Sequence, residues 1–222
     1  MFTEISDLDR RVAVLAALAD PARLRIVDAL AIGDLAPSEI QETLGLSSSL
    51  LAHHLGILER AELVERSRSE ADRRRTYVRL APHARALVGG STFAAPRRIV
   101  FVCSANSARS QLAAALWQRE SSIPVASAGT RPAEAIASGA FDTAARHGLD
   151  LPPRTPQAFD GAADGDWIIT VCDAAHEDLD GDDTAHWSIP DPVRIGTAAA
   201  FDDAYDELAS RIRAILPSLT TA

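Results

Sequence analysis

The chain contains no lysine: all 22 of its basic residues are arginine, for which an Ala- and Arg-rich codon bias is the economical explanation. Cysteine is nearly absent too, with only Cys103 and Cys172 among 222 residues. Two thiols are too few for a disulfide framework or a cysteine-rich metal site, and they suit a reducing compartment where a thiol does chemistry. No run approaches the roughly 18 apolar residues of a membrane span. The N-terminal Met1-Phe2-Thr3-Glu4-Ile5-Ser6-Asp7 lacks the basic start and apolar core of a signal peptide. The expectation is a cytoplasmic protein with no membrane partner.

What is present is a chain of 47% hydrophobic residues with mean hydropathy near zero, long enough for one large or two small domains. The charge distribution favours two. Residues 1–90 carry 12 Arg against 13 Asp plus Glu, whereas residues 91–222 carry 10 against 18, so the net charge of −9 divides into −1 and −8. Between the halves, Gly89-Gly90-Ser91-Thr92-Phe93-Ala94-Ala95-Pro96 has linker composition and no apolar period. The expected organisation is a first domain over 1–88, a linker over 89–96 and a second domain over 97–222.

The most informative stretch opens the second half. Ile99-Val100-Phe101-Val102 reads as a buried strand ending on Cys103, followed by Ser104, Ala105, Asn106, Ser107 and Ala108, then Arg109-Ser110 at the start of a helix. A five-residue loop of small side chains between a cysteine and an arginine can curl so that backbone N–H groups and a guanidinium fork face one tetrahedral anion. The positive helix end and Arg109 both favour the thiolate of Cys103. Cysteine and arginine six apart is a weak signal by itself; strand, cradle and helix around it make the signal stronger.

Further along, Val125–Gly129 suggests a second strand, Ser138–His147 a helix, Asp166–Cys172 a third strand, and Phe201–Leu216 the last helix. Strands alternating with helices predict an α/β domain with a parallel sheet and helices on both faces, and Cys103 at the carboxyl end of its strand, where open α/β sheets place ligands. Chemistry on an oxyanion also needs an acid for the departing oxygen. A late, flexible loop, His186-Trp187-Ser188-Ile189-Pro190-Asp191-Pro192, offers Asp191, with prolines restricting the backbone on both sides.

The first half is different in kind. Leu8, Val12, Leu15, Ala16 and Leu18 recur at helical spacing; Asp20-Pro21 stops that helix and starts another running to about Ile32. A third begins near Pro37-Ser38-Glu39 and ends at Gly45, and a fourth is announced by Ser47, Ser48 and Ser49 as candidate caps. Then Leu63–Arg68, the polar tip Ser69-Glu70-Ala71-Asp72 and Arg73–Leu80 suggest a β-hairpin wing. Helix-turn-helix plus an arginine-bearing wing predicts a mainly-α, DNA-binding domain.

Residues 7–88 resemble the winged-helix repressors of the ArsR family, through Leu18-Ala19-Asp20-Pro21-Ala22-Arg23-Leu24-Arg25-Ile26, Leu46-Ser47, His53-His54-Leu55-Gly56-Ile57-Leu58 and Ala61-Glu62-Leu63-Val64. The resemblance implies a homodimer, with the first helix at its interface, on an inverted-repeat operator. Ser47, Ser48, Ser49, His53 and His54 would face the groove, and Arg73, Arg74 and Arg75 the phosphates. Unlike metal-sensing members, residues 1–102 hold no cysteine, so no metal site is expected there.

Residues 97–219 resemble the low-molecular-weight tyrosine phosphatase superfamily and, within it, the arsenate reductases. Arg109-Ser110-Gln111 stands where phosphatases usually have Ser-Pro, Ser127-Ala128-Gly129-Thr130 follows, and His186-Trp187 precedes Asp191-Pro192. The resemblance implies that Cys103 attacks arsenate, Arg109 and the loop neutralise its charge, Ser110 stabilises the thiolate, Asn106 shapes the loop, and Asp191 protonates the departing oxygen. Thioredoxin-coupled relatives carry two further cysteines. Here only Cys172 matches, as a possible resolving thiol, and the position seven residues on is Leu179. That pattern favours an external thiol, of the mycothiol and glutaredoxin type, over thioredoxin, and no bound cofactor. The expected function is therefore a DNA-binding repressor fused to an arsenate reductase. The alternatives are a tyrosine phosphatase with a regulatory domain, for which Tyr77, Tyr205 and few Phe supply little aromatic wall, or a repressor that senses an oxyanion without turnover.

Overall fold

The structure, a computed structural model, describes residues 7–85 and 92–220. Among them, contacts divide the chain into two units, residues 1–68 with 74–91 and residues 69–73 with 92–222. No helix of the described residues is long and apolar enough to cross a membrane.

The first unit contains α1 (Asp7–Leu18), α2 (Pro21–Ala29), α3 (Pro37–Leu44), α4 (Ser48–Arg60), β1 (Val64–Arg68) and β2 (Thr76–Leu80). Each helix begins where local chemistry supplies acceptors for its orphan N–H groups. Asp20 accepts from the Ala22 and Arg23 amides at 3.0 Å with Pro21 in the first turn. Glu39 reaches back to the Ala36 amide at 2.6 Å, and Ser47 accepts from the Leu50 amide at 3.3 Å. Gly45 closes α3 in the left-handed region at φ +65°, which a β-carbon would penalise. Ile26, Ile40, Leu51, Leu55, Leu58, Leu63 and Val78 form the core. The second helix is shorter than the sequence suggested, capped at Leu30, because Leu35 pairs with Val78 and draws the following chain toward the hairpin. β1 and β2 pair antiparallel from Val64 with Leu80 to Arg68 with Thr76, so Arg73–Arg75 lie in the connection and not in the second strand.

The second unit contains β3 (Phe93–Ala94), β4 (Arg98–Cys103), α5 (Arg109–Glu120), β5 (Val125–Gly129), α6 (Ser138–Arg146), β6 (Asp166–Thr170), α7 (Asp173–Leu179), β7 (Ala185–His186), α8 (Pro192–Ile195), α9 (Ala198–Ile215) and β8 (Leu219–Thr220). The expected parallel sheet is there, in the order β5-β4-β6-β7. From Ile99 to Cys103 β4 is buried on both faces, which is why it reads as a continuous apolar run. α5 packs on β4 and β5 with α9 against it, and α7 packs on β4 and β6. Phe101 carries the core, its ring 6.1 Å from that of Trp117 and 5.7 Å from that of Trp187.

Several local expectations change. Residues 89–91 of the expected linker lie outside the described residues, while Phe93–Ala94 pairs in parallel with Leu219–Thr220 as a small second sheet. Cys172 does not end the third strand; it caps α7, its sulfur accepting from the Ala175 amide at 3.4 Å. The segment from His186 to Ile189, expected as part of a flexible loop, is buried and partly strand, and Pro190 after it is exposed. The last helix starts three residues early because Thr197 caps it.

Candidate active site

The loop after β4 is shaped by its carbonyls. Those of Cys103, Ser104, Ala105 and Ser107 accept from the amides of Thr130, Arg131, Ala133 and Ala137 at 3.1, 2.8, 2.9 and 2.9 Å. The Asn106 carbonyl accepts from Gln111 Nε2 at 3.0 Å. With every carbonyl from 103 to 107 drawn outward, the amide edge turns inward, the geometry of a backbone nest for an anion. Asn106 makes the bend at φ +49°, in the left-handed region that asparagine tolerates better than most residues, and its amide donates to Cys103 Sγ at 3.2 Å. Ser110 Oγ lies 3.1 Å from the same sulfur. Gly129, paired with Cys103 on β5, leaves room for the loop: a β-carbon there would stand 2.7 Å from the Ser104 oxygen and 2.9 Å from the Asn106 nitrogen.

Arg109, in the first turn of α5, is buried and held at two points. Its guanidinium donates to the Ile189 carbonyl at 2.9 Å and pairs with Asp191 Oδ2 at 3.1 Å. Burial works against its charge, but the facing Cys172 sulfur, the Asp191 carboxylate and the Cys103 sulfur outweigh burial and hold its pKa above the ordinary arginine value. Asp191 also caps α8 through the Val193 amide at 3.0 Å. Cys172 comes to the same place from β6, its sulfur accepting from the Ser104 amide at 3.2 Å. Burial pushes its thiol above the usual range, against the pull of Arg109. Among the described residues, no aromatic side chain lines the pocket formed by Ser104, Arg109, Cys172, Asp173, Asp191 and Arg194.

In the first unit, Ser47, Ser48, Ser49 and His53 are exposed on one side of α4 and its cap. His54 is on the other side: it is 6% exposed, with Nδ1 3.9 Å from Asp20 Oδ1 and no hydrogen bond. It packs inside this unit and faces no groove, one helical position deciding the difference. Arg73, Arg74 and Arg75 are exposed, Arg73 within the segment that groups with the second unit.

Residues 98–222, more than half of the chain, match the family described as low molecular weight phosphotyrosine protein phosphatase. The chain belongs to that family. This chain is 29% identical over 102 residues to a Halobacterium salinarum protein named "Putative arsenate reductase", the match covering 41% of this chain and 72% of that one. Its fold is shared by the Erwinia amylovora tyrosine phosphatase AmsI (22% identical, TM-score 0.50, covering 59% of this chain and 99% of that one). Vibrio vulnificus Wzb in complex with benzylphosphonate is similar (21% identical, TM-score 0.50, 55% and 99%). Residues 20–66 match the bacterial regulatory proteins of the arsR family. The chain is also 39% identical over 51 residues to the Bacillus subtilis transcriptional repressor SdpR, covering 23% of this chain and 57% of that one. The chain thus fuses an ArsR-type helix-turn-helix to a low-molecular-weight phosphatase domain.

The structure brings together every residue expected around the oxyanion loop of this phosphatase-family domain, with Cys172 beside it. Sequence reasoning did not find the supports beneath. Asp173 Oδ1 is 3.0 Å from His186 Nε2, and His186 Nδ1 is 3.0 Å from Thr170 Oγ1; His176 Nδ1 is 2.8 Å from Asp183 Oδ2. Burial raises the Asp173 pKa, but bonds with His186, the Glu70 amide and Ser188 more than reverse this and hold it below the usual carboxylate value. His176, Asp183 and His186 offer three ligand atoms within 4.8 Å of one another. The two rings stack at 4.2 Å and 11°, and His176 Nδ1 and both nitrogens of His186 already have hydrogen-bond partners. This is a hydrogen-bonded cluster joining the Cys172 turn to the strand leading to Asp191. The pairing of Asp173 with His186 had no signal at fixed spacing; Gln111, directly after Arg109-Ser110, did.

Proposed function

We propose that the chain is a DNA-binding repressor fused to a thiol-dependent arsenate reductase, with the phosphatase-family domain acting on a small inorganic oxyanion. The observation that carries this reading is the buried Cys103 and Arg109 in a loop whose amide edge turns inward, beside a pocket without an aromatic wall. An aryl phosphate needs such a wall; a tetrahedral oxyanion needs only the donors.

Cys103 Sγ attacks arsenic(V), forming an S–As bond while an As–O bond breaks, the oxygen leaving as water with a proton delivered by Asp191. Arg109 and the loop amides neutralise the charge on the remaining oxygens. A thiol from outside then attacks Cys103 Sγ: an S–S bond forms and the S–As bond breaks, its electron pair staying on arsenic, which leaves as arsenite. A second thiol reduces the mixed disulfide and restores Cys103, so two thiols become one disulfide per arsenate. The external reductant is of the mycothiol and glutaredoxin type. Cys172, beside the Ser104 amide, is the candidate for an internal resolving thiol, although its raised pKa keeps it protonated near neutrality.

In the repressor half, Ser47, Ser48, Ser49 and His53 on α4 face the operator groove, and Arg73, Arg74 and Arg75 meet phosphates. Leu8, Val12 and Leu15, exposed by 65, 56 and 66%, form an apolar stripe along α1 that a second copy would cover to make the dimer.

The deciding experiment is arsenate-dependent arsenite release by the wild type and Cys103→Ser, with thioredoxin, glutaredoxin plus glutathione, and mycothiol systems in parallel. Release with one system, lost in the variant, supports the reading. Silence with every thiol alongside robust hydrolysis of an aryl phosphate replaces it with a phosphatase.

A further inference from the structure

We propose that Gln111 and Arg154 are positioning residues for Cys103: with Asn106 and Ser110 they form a hydrogen-bond chain running one way from the surface to the sulfur. The proposal rests on the reading of Cys103 as the nucleophile.

The direction of each link is set by groups that cannot change role. Arg154 Nε, always a donor, donates to Gln111 Oε1 at 2.8 Å. The other end of that amide is therefore Nε2, and it donates at 3.0 Å to both the Asn106 carbonyl and Asn106 Oδ1. The backbone amide of Gln157 donates to the same Oδ1 at 2.8 Å, which independently fixes the Asn106 side chain with Nδ2 on its other side. That Nδ2 donates to Ser110 Oγ at 2.9 Å. The Ser110 hydroxyl, having accepted there, keeps its one hydrogen for Cys103 Sγ, 3.1 Å away.

Two consequences follow. Every donor in the chain points toward the sulfur, and the chain starts at a guanidinium, the arrangement that stabilises negative charge at its far end. Gln111 also grips Asn106 by backbone and side chain together, at the residue whose positive φ turns the loop. Gln111 and Asn106 are fully buried, so no water competes with these bonds. Arg154 is exposed and needs no role in the core. It also reaches Ser127 Oγ at 3.4 Å, across to β5.

The test is the rate of Cys103 alkylation by iodoacetamide against pH in the full-length chain, with peptide mapping to separate Cys103 from Cys172. Gln111→Glu keeps the shape but puts a carboxylate against two oxygens of Asn106. Arg154→Met removes the first donor at the surface and covers the case in which Gln111→Glu fails to fold. At pH 7 Cys103 alkylation is expected to fall about tenfold in Gln111→Glu and about threefold in Arg154→Met, with the half-rise of each profile moved to higher pH. Because the hydrogen-bond chain reaches the sulfur through the Ser110 hydroxyl, Gln111→Glu is expected to cost less on a Ser110→Ala background than on the wild type, the remainder being its grip on Asn106. Profiles of both variants that superimpose on the wild type, or effects that multiply fully with Ser110→Ala, overturn the proposal. A wild-type Cys103 that alkylates no faster than a free thiol overturns instead the nucleophile reading beneath it, and the proposal with it.

Discussion

Gly129→Ala puts the nest geometry to a steric test. The added β-carbon would stand 2.7 Å from the Ser104 oxygen and 2.9 Å from the Asn106 nitrogen, where ordinary contact begins at 3.4 Å. Relief requires a displacement of roughly 0.7 Å at Ser104, and the clashing atoms are backbone, so no side chain can swing away. The Ser104 carbonyl is tied to the Arg131 amide, and Gly129 itself is held on both sides, its amide donating to the Gln157 carbonyl and its carbonyl accepting from the Phe159 amide. Overpacking of this kind costs about 1–3 kcal/mol of stability. A misplacement near 1 Å of groups that grip a reacting oxyanion costs up to about 100-fold in rate, so a loss of about 10- to 100-fold in arsenate turnover is expected. Thermal melts with and without arsenate separate the two effects, since a ligand held only by the folded loop raises the melting temperature by an amount that grows with the logarithm of its affinity. Gly148→Ala is the control. It meets nothing within 4 Å, and its φ of +63° costs an alanine about 1–2 kcal/mol with the loop untouched. If Gly129→Ala keeps wild-type arsenate affinity and turnover, the nest reading of this loop is wrong.

Arg109→Lys keeps the charge but loses the fork that reaches Ile189 and Asp191 together, and oxyanion affinity measured by calorimetry should fall about 100-fold. Cys172 should alkylate only above the pH at which a free thiol does, because burial raises its pKa; labelling near pH 7 at the rate of free cysteine would show the thiol to be exposed. Asp173 has its folded pKa lowered, so its contribution to stability is present above the ordinary carboxylate value of 3.8 and lost as pH falls through the folded value. Asp173→Asn should therefore be less stable than wild type at pH 7, with the two melting temperatures converging as pH falls below 3.8, and a constant gap would contradict the sign. Val12→Glu places a charge in the exposed α1 stripe, and size-exclusion chromatography should show the chain shifting from the proposed dimer to monomer; unchanged elution would remove α1 from the proposed interface.

The elements legible in the sequence are those set by neighbours along the chain. Asp20-Pro21, Ser47 and Gly45 mark helix ends because caps and left-handed closures act within four residues. The apolar run into Cys103 and the small residues up to Arg109 define strand, turn and helix by the same local rules, and with them the proposed nucleophile and its guanidinium. Helical periodicity says that α4 has two faces but not how far each extends, so His53 and His54 read alike until packing puts one outside and the other against Asp20. The direction in which the loop presents its amides depends on the amides of residues 130–137 pulling its carbonyls outward, a pairing that only the sheet register creates. The same holds for Cys172, brought to the Ser104 amide by β6, and for Arg154, which meets Gln111 from 43 positions away. Chain-local chemistry therefore marked the residues proposed to react, and tertiary contacts, which no spacing encodes, chose how they are aimed and what holds them there.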